Sequence, residues 1–107
     1  MKKVILESPY AGNIKRNIAY ARLCVKDSLM RGESPIASHL LYTQMLDDDI
    51  PNERELGINA GLAWKKVADL QVFYVDYGIS KGMQYGMQYA KEHNIPFEIR
   101  NILKLIL

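Results

Sequence analysis

Apolar residues along the first third of the chain follow two patterns, a short continuous run and a longer stretch with helical spacing. The run at residues 2–7 is followed by turn residues, which is typical of a buried first strand. In residues 13–31 the apolar side chains recur at helical spacing opposite a polar face, which predicts a helix. Asn13 is a good N-cap for this helix, and Gly32 supplies its C-terminal stop.

The same two patterns continue to the end of the chain. Residues 35–42 (PIASHLLY) are expected to form the second strand and its exit, and Asn52 is expected to cap a second helix that continues to residue 67. Residues 70–75 (LQVFYV) are β-branched and aromatic and form the clearest strand. Ser80 is expected to begin a third helix that ends near residue 93, and residues 96–99 a fourth strand.

Strands and helices therefore alternate as β-α-β-α-β-α-β. The crossovers are long enough for parallel pairing, and right-handed crossovers place helices on both faces of the sheet. With 107 residues the chain is about one domain long. We predict one α/β domain over residues 1–107, a Rossmann-like doubly wound parallel sheet of four to five strands. Ligands of such sheets collect at the carboxyl ends of the strands.

Composition narrows the classes of partner. The net charge is only +2 and the 14 basic side chains are scattered, so no nucleic-acid partner is expected. Cys24 is the single cysteine, which leaves no disulfide framework and no cysteine metal site. The aspartates at 47–49 do not match an EF-hand loop, so no metal is expected. No cofactor is expected. No signal peptide or membrane span is expected either, which favours a cytoplasmic protein.

The turn after the first strand is the first candidate for binding a ligand. Gly12 lets the backbone approach a ligand closely, and the N–H groups at a helix start favour anions. Arg16 and Asn17 follow one turn later and are candidate donors to a phosphate. An ordinary capped turn is the alternative. The candidates of this segment are Ser8, Pro9, Tyr10, Gly12, Asn13, Arg16 and Asn17.

Two further segments are expected to meet that turn at the same edge. Ser38 and His39 form one, although a histidine between apolar residues is more often packed than catalytic. A Ser-His-Asp triad is rejected because neither Ser8 nor Ser38 lies in a nucleophile-elbow sequence. The other segment begins with Asp76, an acid at a strand end, which suits a ribose hydroxyl. Its glycines can be explained equally well by close packing of the helix on the sheet. Its candidates are Asp76, Gly78, Ser80, Gly82, Met83 and Gln84.

Five stretches carry a resemblance to a known family. They are ESPYAG at 7–12, NIAYARLC at 17–24, ASHLLYTQ at 37–44, ERELGINAGLAW at 53–64 and DYGISKGMQYGMQYA at 76–90. The chain resembles the nucleoside 2-deoxyribosyltransferase-like branch of the SLOG superfamily, and most of all a small family of phage and prophage proteins of unassigned function. The resemblance implies a doubly wound sheet, oligomers and a pocket for a nucleoside or nucleotide derivative. A phage-encoded chain would act in the host cytoplasm.

The resemblance also bears on catalysis. In the transferases, the helix after the third strand presents a glycine-methionine-glutamate pattern whose glutamate attacks the anomeric carbon. The matching run GMQYG at 82–86 has Gln84 at that position, or Gly86 in an alternative register. An amide cannot form the glycosyl ester that a carboxylate forms. The resemblance therefore implies that binding remains while transfer through this position is lost, and we expect no catalytic residue.

Three hypotheses are open. The first is non-catalytic binding of a nucleotide-derived small molecule, with a phage decoy that sequesters a nucleotide immune signal as the role implied by the resemblance. The second is an enzyme that cleaves an N-glycosidic bond through Glu53, Glu55 or Asp76. The third is an interaction protein whose apolar tail docks a partner and whose pocket is vestigial. Because five of the last six residues are apolar, we also expect a homo-oligomer.

Overall fold

A computed structural model describes residues 1–103 and contains one parallel sheet with helices on both faces. The sheet order is β2-β1-β3-β4, and every pair of neighbours is parallel. The predicted fold class is confirmed, with four strands. The strands are β1 (Lys3–Glu7), β2 (Ser34–Ile36), β3 (Leu70–Tyr74) and β4 (Phe97–Arg100). The helices are α1 (Ile14–Met30), α2 (Ser38–Leu41), a 3-10 turn (Tyr42–Gln44), α3 (Pro51–Lys65) and α4 (Lys81–Glu92).

The two inner strands, β1 and β3, place different kinds of side chain on the two faces of the sheet. Alternate residues of a strand point to opposite faces. On one face Leu6 and Val72 are fully buried against Tyr20 and Cys24 of α1. On the other face β1 ends with Glu7, which contacts α3 and α4. The two inner strands therefore contribute apolar side chains to the first face, whereas on the second face β1 contributes a carboxylate.

Two of the predicted helix starts are confirmed in atomic detail. Oδ1 of Asn13 accepts a hydrogen bond from the Arg16 N–H at 3.1 Å, which caps α1. Oγ of Ser80 accepts from the Met83 N–H at 3.2 Å and caps α4 in the same way. Gly32 follows α1 with a φ of 83°, the left-handed conformation that glycine adopts readily.

The prediction for residues 35–42 is right for the strand and wrong for the residues after it. β2 ends at Ile36, and the Ala37 carbonyl then accepts hydrogen bonds from the N–H groups of Leu40 and Leu41. The result is one helical turn, α2, which the prediction of a strand and its exit did not include. A short apolar run does not distinguish a strand from a buried helical turn by its periodicity, which is why the sequence was misleading here.

The start of α3 also differs from the prediction. Asn52 does not cap this helix, because Ile50 is the N-cap residue and Pro51 is the first helical residue. Proline is favoured at that position since its missing N–H would have no intrahelical partner there. The carboxylate of Glu53, in the first turn, accepts a hydrogen bond from the Asp47 N–H at 3.1 Å.

The C-terminal tail was expected to be an apolar docking segment, and residues 104–107 lie outside the described part of the chain. Of the tail residues within it, Ile102 packs against the core of the first face, whereas Leu103 is 45% exposed. Within residues 1–103, no helix is both long enough and apolar enough to cross a membrane.

Candidate functional site

A cavity of about 650 Å³ opens at the carboxyl end of β1. Its wall is formed by the end of β1, by α2 and the 3-10 turn, by one face of α3 and by the start of α4. This volume falls in the range of pockets that hold small molecules. The sequence-based candidates that line it are Ser8, Tyr10, Ser38, His39, Ser80, Gly82 and Met83. The three predicted segments therefore do converge.

Arg16 and Asn17 are not part of the cavity wall. The guanidinium of Arg16 lies 4.1 Å from the centre of the Tyr77 ring, a cation–π contact. Asn17 is 1% exposed, and its Nδ2 donates to the carbonyls of Tyr10 and Ala11 at 2.9 and 3.1 Å. Both side chains thus hold local structure, and Asn17 shapes the turn that carries Tyr10 into the wall.

The remaining candidates outside the wall have other surroundings. Gly12 and Gly78 have φ values of 93° and 89°, so each turn requires a conformation that other residues rarely adopt. Pro9 is buried, Asn13 caps α1, and Gln84 is exposed on α4.

Asp76 is fully occupied by contacts within the protein. Its carboxylate accepts hydrogen bonds from the Tyr20 hydroxyl at 2.5 Å and from the backbone N–H groups of Ile102 and Leu103 at about 3 Å. Burial alone would raise the pKa of Asp76, but these donors together lower it below its ordinary value. The side chain ties the end of β3 to α1 and to the segment after β4.

Glu7, which begins the stretch ESPYAG but was not among the predicted site residues, lies in the cavity wall. Its Oε2 is 3.4 Å from Nζ of Lys65 and accepts a hydrogen bond from Nε2 of Gln71. Burial raises the pKa of the Glu7 carboxyl, although the Lys65 ammonium opposes that shift. The available signal was the presence of two polar residues, Glu7 and Gln71, in strands that are otherwise mostly apolar.

The space for the Glu7 carboxylate is provided by Gly86 on α4. A Cβ added at residue 86 would lie only 2.8 Å from the carboxyl carbon of Glu7. By contrast, a Cβ at Gly82 would meet only Oγ of Ser80, at 3.9 Å. The structure therefore separates the two glycines of α4. Gly86 admits a charged side chain, whereas Gly82 lines the cavity.

Ser8 and His39 form a hydrogen-bonded pair in the wall, with 2.7 Å between Oγ and Nε2. Burial lowers the pKa of His39 to about 4, so its imidazole is neutral at pH 7. A base of that strength is poorly matched to removing a serine proton near neutral pH. The pair is therefore suited to hydrogen bonding with a ligand.

The charged side chains of the cavity wall are three cations and two acids, namely Arg54, Lys65, Lys81, Glu7 and Asp48. Arg54 and Lys81 lie in the wall together with Asp48, and the first N–H groups of α4 are close by. The first N–H groups of a helix lack intrahelical partners and favour anions. Residues 1–103 contain no group of three or more His, Cys, Asp or Glu side chains placed to hold a metal ion.

Comparison with solved structures shows that the fold is shared with a known enzyme. The 2-deoxyribosyltransferase of the psychrotolerant bacterium Bacillus psychrosaccharolyticus, described as a biocatalyst for nucleoside synthesis, superimposes with a TM-score of 0.67 at 15% identity. The match covers 98% of this chain and 76% of that enzyme. At this identity the likeness shows the fold alone, and it confirms the deoxyribosyltransferase-like architecture that the resemblance implied.

Sequence comparison gives the family but no activity. Among curated proteins no match was found. The profile of the family described as "Domain of unknown function (DUF7768)" matches residues 2–100, nearly the whole chain. Membership of a phage or prophage group stays a prediction. The chain belongs to the DUF7768 family.

Proposed function

We propose that the chain binds a nucleotide-derived small molecule in the cavity at the carboxyl end of β1 and leaves it chemically unchanged. The observation that carries the proposal is the cavity itself, about 650 Å³ and lined by all three segments that the sequence marked as binding turns. Doubly wound sheets bind nucleotides at this edge. The described fold, shared with an enzyme that makes nucleosides, supports the same class of ligand.

The wall offers a complementary group for each part of a nucleotide. Arg54, Lys81 and the N-terminal end of α4 are suited to a phosphate. Ile58, Leu62 and Tyr85 supply apolar and aromatic surface for a base. Ser8 and His39 add hydrogen-bonding groups to the wall.

The proposal of binding without catalysis rests on the side chains that are not in the wall. Gln84 is exposed outside it, and Gly86 has no side chain to react. Of the three acids considered as replacements for the nucleophile, Glu53 and Glu55 lie outside the wall, and Asp76 is occupied by internal donors. Sequestration of a nucleotide immune signal, the role implied by the resemblance, is the finer form of this proposal.

Calorimetry with AMP, ADP, cyclic AMP and ADP-ribose tests the binding. We expect a Kd well below 1 mM for at least one of them, with the ligand recovered intact by mass spectrometry. Gly82→Val, which fills the cavity wall, should weaken binding at least tenfold, whereas Gln84→Ala, outside the wall on the same helix, should not. If the folded protein binds none of them below about 1 mM, the proposal fails.

A second candidate function, cleavage of an N-glycosidic bond, is favoured by the position of Glu7. In this reaction a carboxylate oxygen would form an ester with the anomeric carbon as the base leaves, and water would then hydrolyse the ester to free sugar. Glu7 contributes a carboxylate to the wall, which Glu53, Glu55 and Asp76 do not. Chromatography of nucleosides incubated with the protein decides: steady base release that Glu7→Gln abolishes would favour the enzyme.

We also propose that the chain forms a homo-oligomer. Several large apolar side chains of the described part are exposed on and near α3, among them Leu56 at 60%, Trp64 at 45% and Val67 at 56%. An apolar surface of this kind is typical of an interface between subunits. Light scattering at micromolar protein should give at least twice the monomer mass of 12.3 kDa, and a monomer mass would overturn the idea.

A further inference from the structure

The polar cluster of Glu7, Lys65 and Gln71 lies where a core is normally apolar. Lys65 and Gln71 are 8% and 1% exposed, and the fully buried Phe73 and Ala90 belong to the same layer. Replacing a buried ion pair by apolar residues is often neutral or stabilising, so such a pair is poor evidence of a stabilising role. The needs of packing therefore do not explain these three side chains.

The sequence also places a glycine beside this cluster. Gly86 lies inside α4, where glycine is less favourable than alanine. A Cβ there would come within 2.8 Å of the Glu7 carboxyl carbon, so the helix can approach the sheet only with glycine at this position. Gly86 therefore lowers the stability of α4 but leaves room for the Glu7 carboxylate.

The two oxygens of Glu7 have different surroundings. Both contacts from Lys65 and Gln71 are made to Oε2, which fixes the carboxylate from one side. Oε1 accepts no hydrogen bond from residues 1–103. The Glu7 side chain, which lies in the cavity wall, is 17% exposed. A carboxylate oxygen with free lone pairs, held in one orientation, is an acceptor for a donor that arrives with the ligand.

We propose that Oε1 of Glu7 recognises the sugar of the bound molecule by accepting hydrogen bonds from its ribose hydroxyls. Lys65, Gln71 and Gly86 are positioning residues that hold the carboxylate in place. This inference rests on the proposed function and specifies the ligand class further, as a ribosyl compound with free 2′- and 3′-hydroxyls. A dideoxy compound leaves a buried charged acceptor without a partner and is disfavoured.

Calorimetry with AMP and 2′,3′-dideoxy-AMP tests the inference on the full chain. The natural protein should bind AMP about 10- to 150-fold more tightly than the dideoxy analogue, because a hydrogen bond to a charged group is at stake. Glu7→Gln, which keeps the size of the side chain, should bring this ratio close to one. Gly86→Ala, which displaces the carboxylate, should also lower the ratio, while Gln84→Ala, outside the wall on the same helix, should leave it unchanged.

Circular dichroism confirms that each variant is folded before it is compared. Equal binding of the two probes by the natural protein overturns the inference and leaves the proposed function standing. A preference for AMP that Glu7→Gln leaves intact also overturns it, because another group then recognises the hydroxyls. Failure of the folded natural protein to bind either probe overturns it too, and the wider nucleotide panel then decides the proposed function separately.

Discussion

Two carboxylates stand at the ends of neighbouring inner strands and have opposite surroundings. Asp76 follows β3 and faces α1, where the Tyr20 hydroxyl and two backbone N–H groups donate to it. Glu7 ends β1 on the other face, where one oxygen is held by Lys65 and Gln71 and the other has no hydrogen bond within residues 1–103. Asp76 has internal hydrogen-bond donors to both of its oxygens, whereas Glu7 lies in the wall of a cavity with one oxygen unbonded within residues 1–103.

The difference shows what decides the availability of an acid for a ligand. Position at a strand end is common to both residues, and it made Asp76 the expected sugar acceptor. The internal donors lower the pKa of Asp76 in spite of its burial, whereas burial raises that of Glu7 in spite of Lys65. An acid with enough internal partners stabilises the fold, and an acid short of them is available for binding.

The largest effect is expected from removing the Asp76 carboxylate, which the comparison assigns to fold stability. Asp76→Ala leaves the buried Tyr20 hydroxyl and two N–H groups without their acceptor, so we expect a loss of about 2–4 kcal/mol in the free energy of unfolding. Urea denaturation measures it. Nucleotide affinity of the folded protein should stay within about twofold. Weakened binding with unchanged stability would return Asp76 to the role of ligand acceptor.

The His39 imidazole beside Ser8 provides the next largest effect. Its pKa is lowered to about 4 by burial, so the unfolded chain takes up a proton near pH 6.5 and the folded protein does not. Stability should therefore fall as pH drops from about 6.5 to about 4, by at most about 3 kcal/mol.

The matched variant His39→Gln separates this contribution from those of the acids. The lowered pKa of Asp76 also removes stability at low pH, while the raised pKa of Glu7 adds some there, since protonation is favoured in the folded state. The melting temperatures of the natural protein and of His39→Gln are measured as a function of pH. Both acids are present in each protein, so the difference between the two pH profiles isolates the contribution of His39. Parallel curves from pH 7 to pH 4 would show that this imidazole titrates normally.

Substitution of the two glycines of α4, Gly82 and Gly86, tests whether the Glu7 carboxylate requires a glycine beside it. Gly86→Ala pushes a methyl group into the carboxylate and should cost about 1–3 kcal/mol. Gly82→Ala meets only an ordinary contact and should be neutral or stabilising by up to about 1 kcal/mol. Thermal melts of the two variants and of Gly86→Ala with Glu7→Ala measure this. Equal costs at the two glycines, or no rescue in the double variant, would show that the carboxylate is not what requires Gly86.

Sequence pattern was sufficient for the sheet because its signals are local. β3 is a β-branched and aromatic run, and Asn13 and Ser80 make the capping bonds that their positions predicted. The helical turn of Ser38–Leu41 was missed because a segment of four residues is too short to show a decisive period. It matters for function, since this turn brings His39 against Ser8.

The site was only partly predictable, because it depends on contacts far apart in the sequence. The turns that converge were identified from glycines and capping residues. Which polar group is free was not identifiable, since the donors to Asp76 come from α1 and from the segment after β4. The pairing of Glu7 with Lys65 likewise joins residues that are far apart along the chain. Residue types indicate where a ligand is expected, and tertiary contacts decide which of them bind it.

The smallest predicted effect concerns Arg16, expected from the sequence to contact a phosphate. Its guanidinium lies over the Tyr77 ring and outside the cavity wall, so Arg16→Ala should cost no more than about 1 kcal/mol of stability. AMP affinity should change less than twofold, whereas Lys81→Ala, in the cavity wall, should weaken it about fivefold or more. Calorimetry at two salt concentrations compares the variants. If Arg16→Ala weakens binding tenfold while Lys81→Ala does not, the phosphate lies beside α1, on the Asp76 side, and the assignment of the two regions must be exchanged.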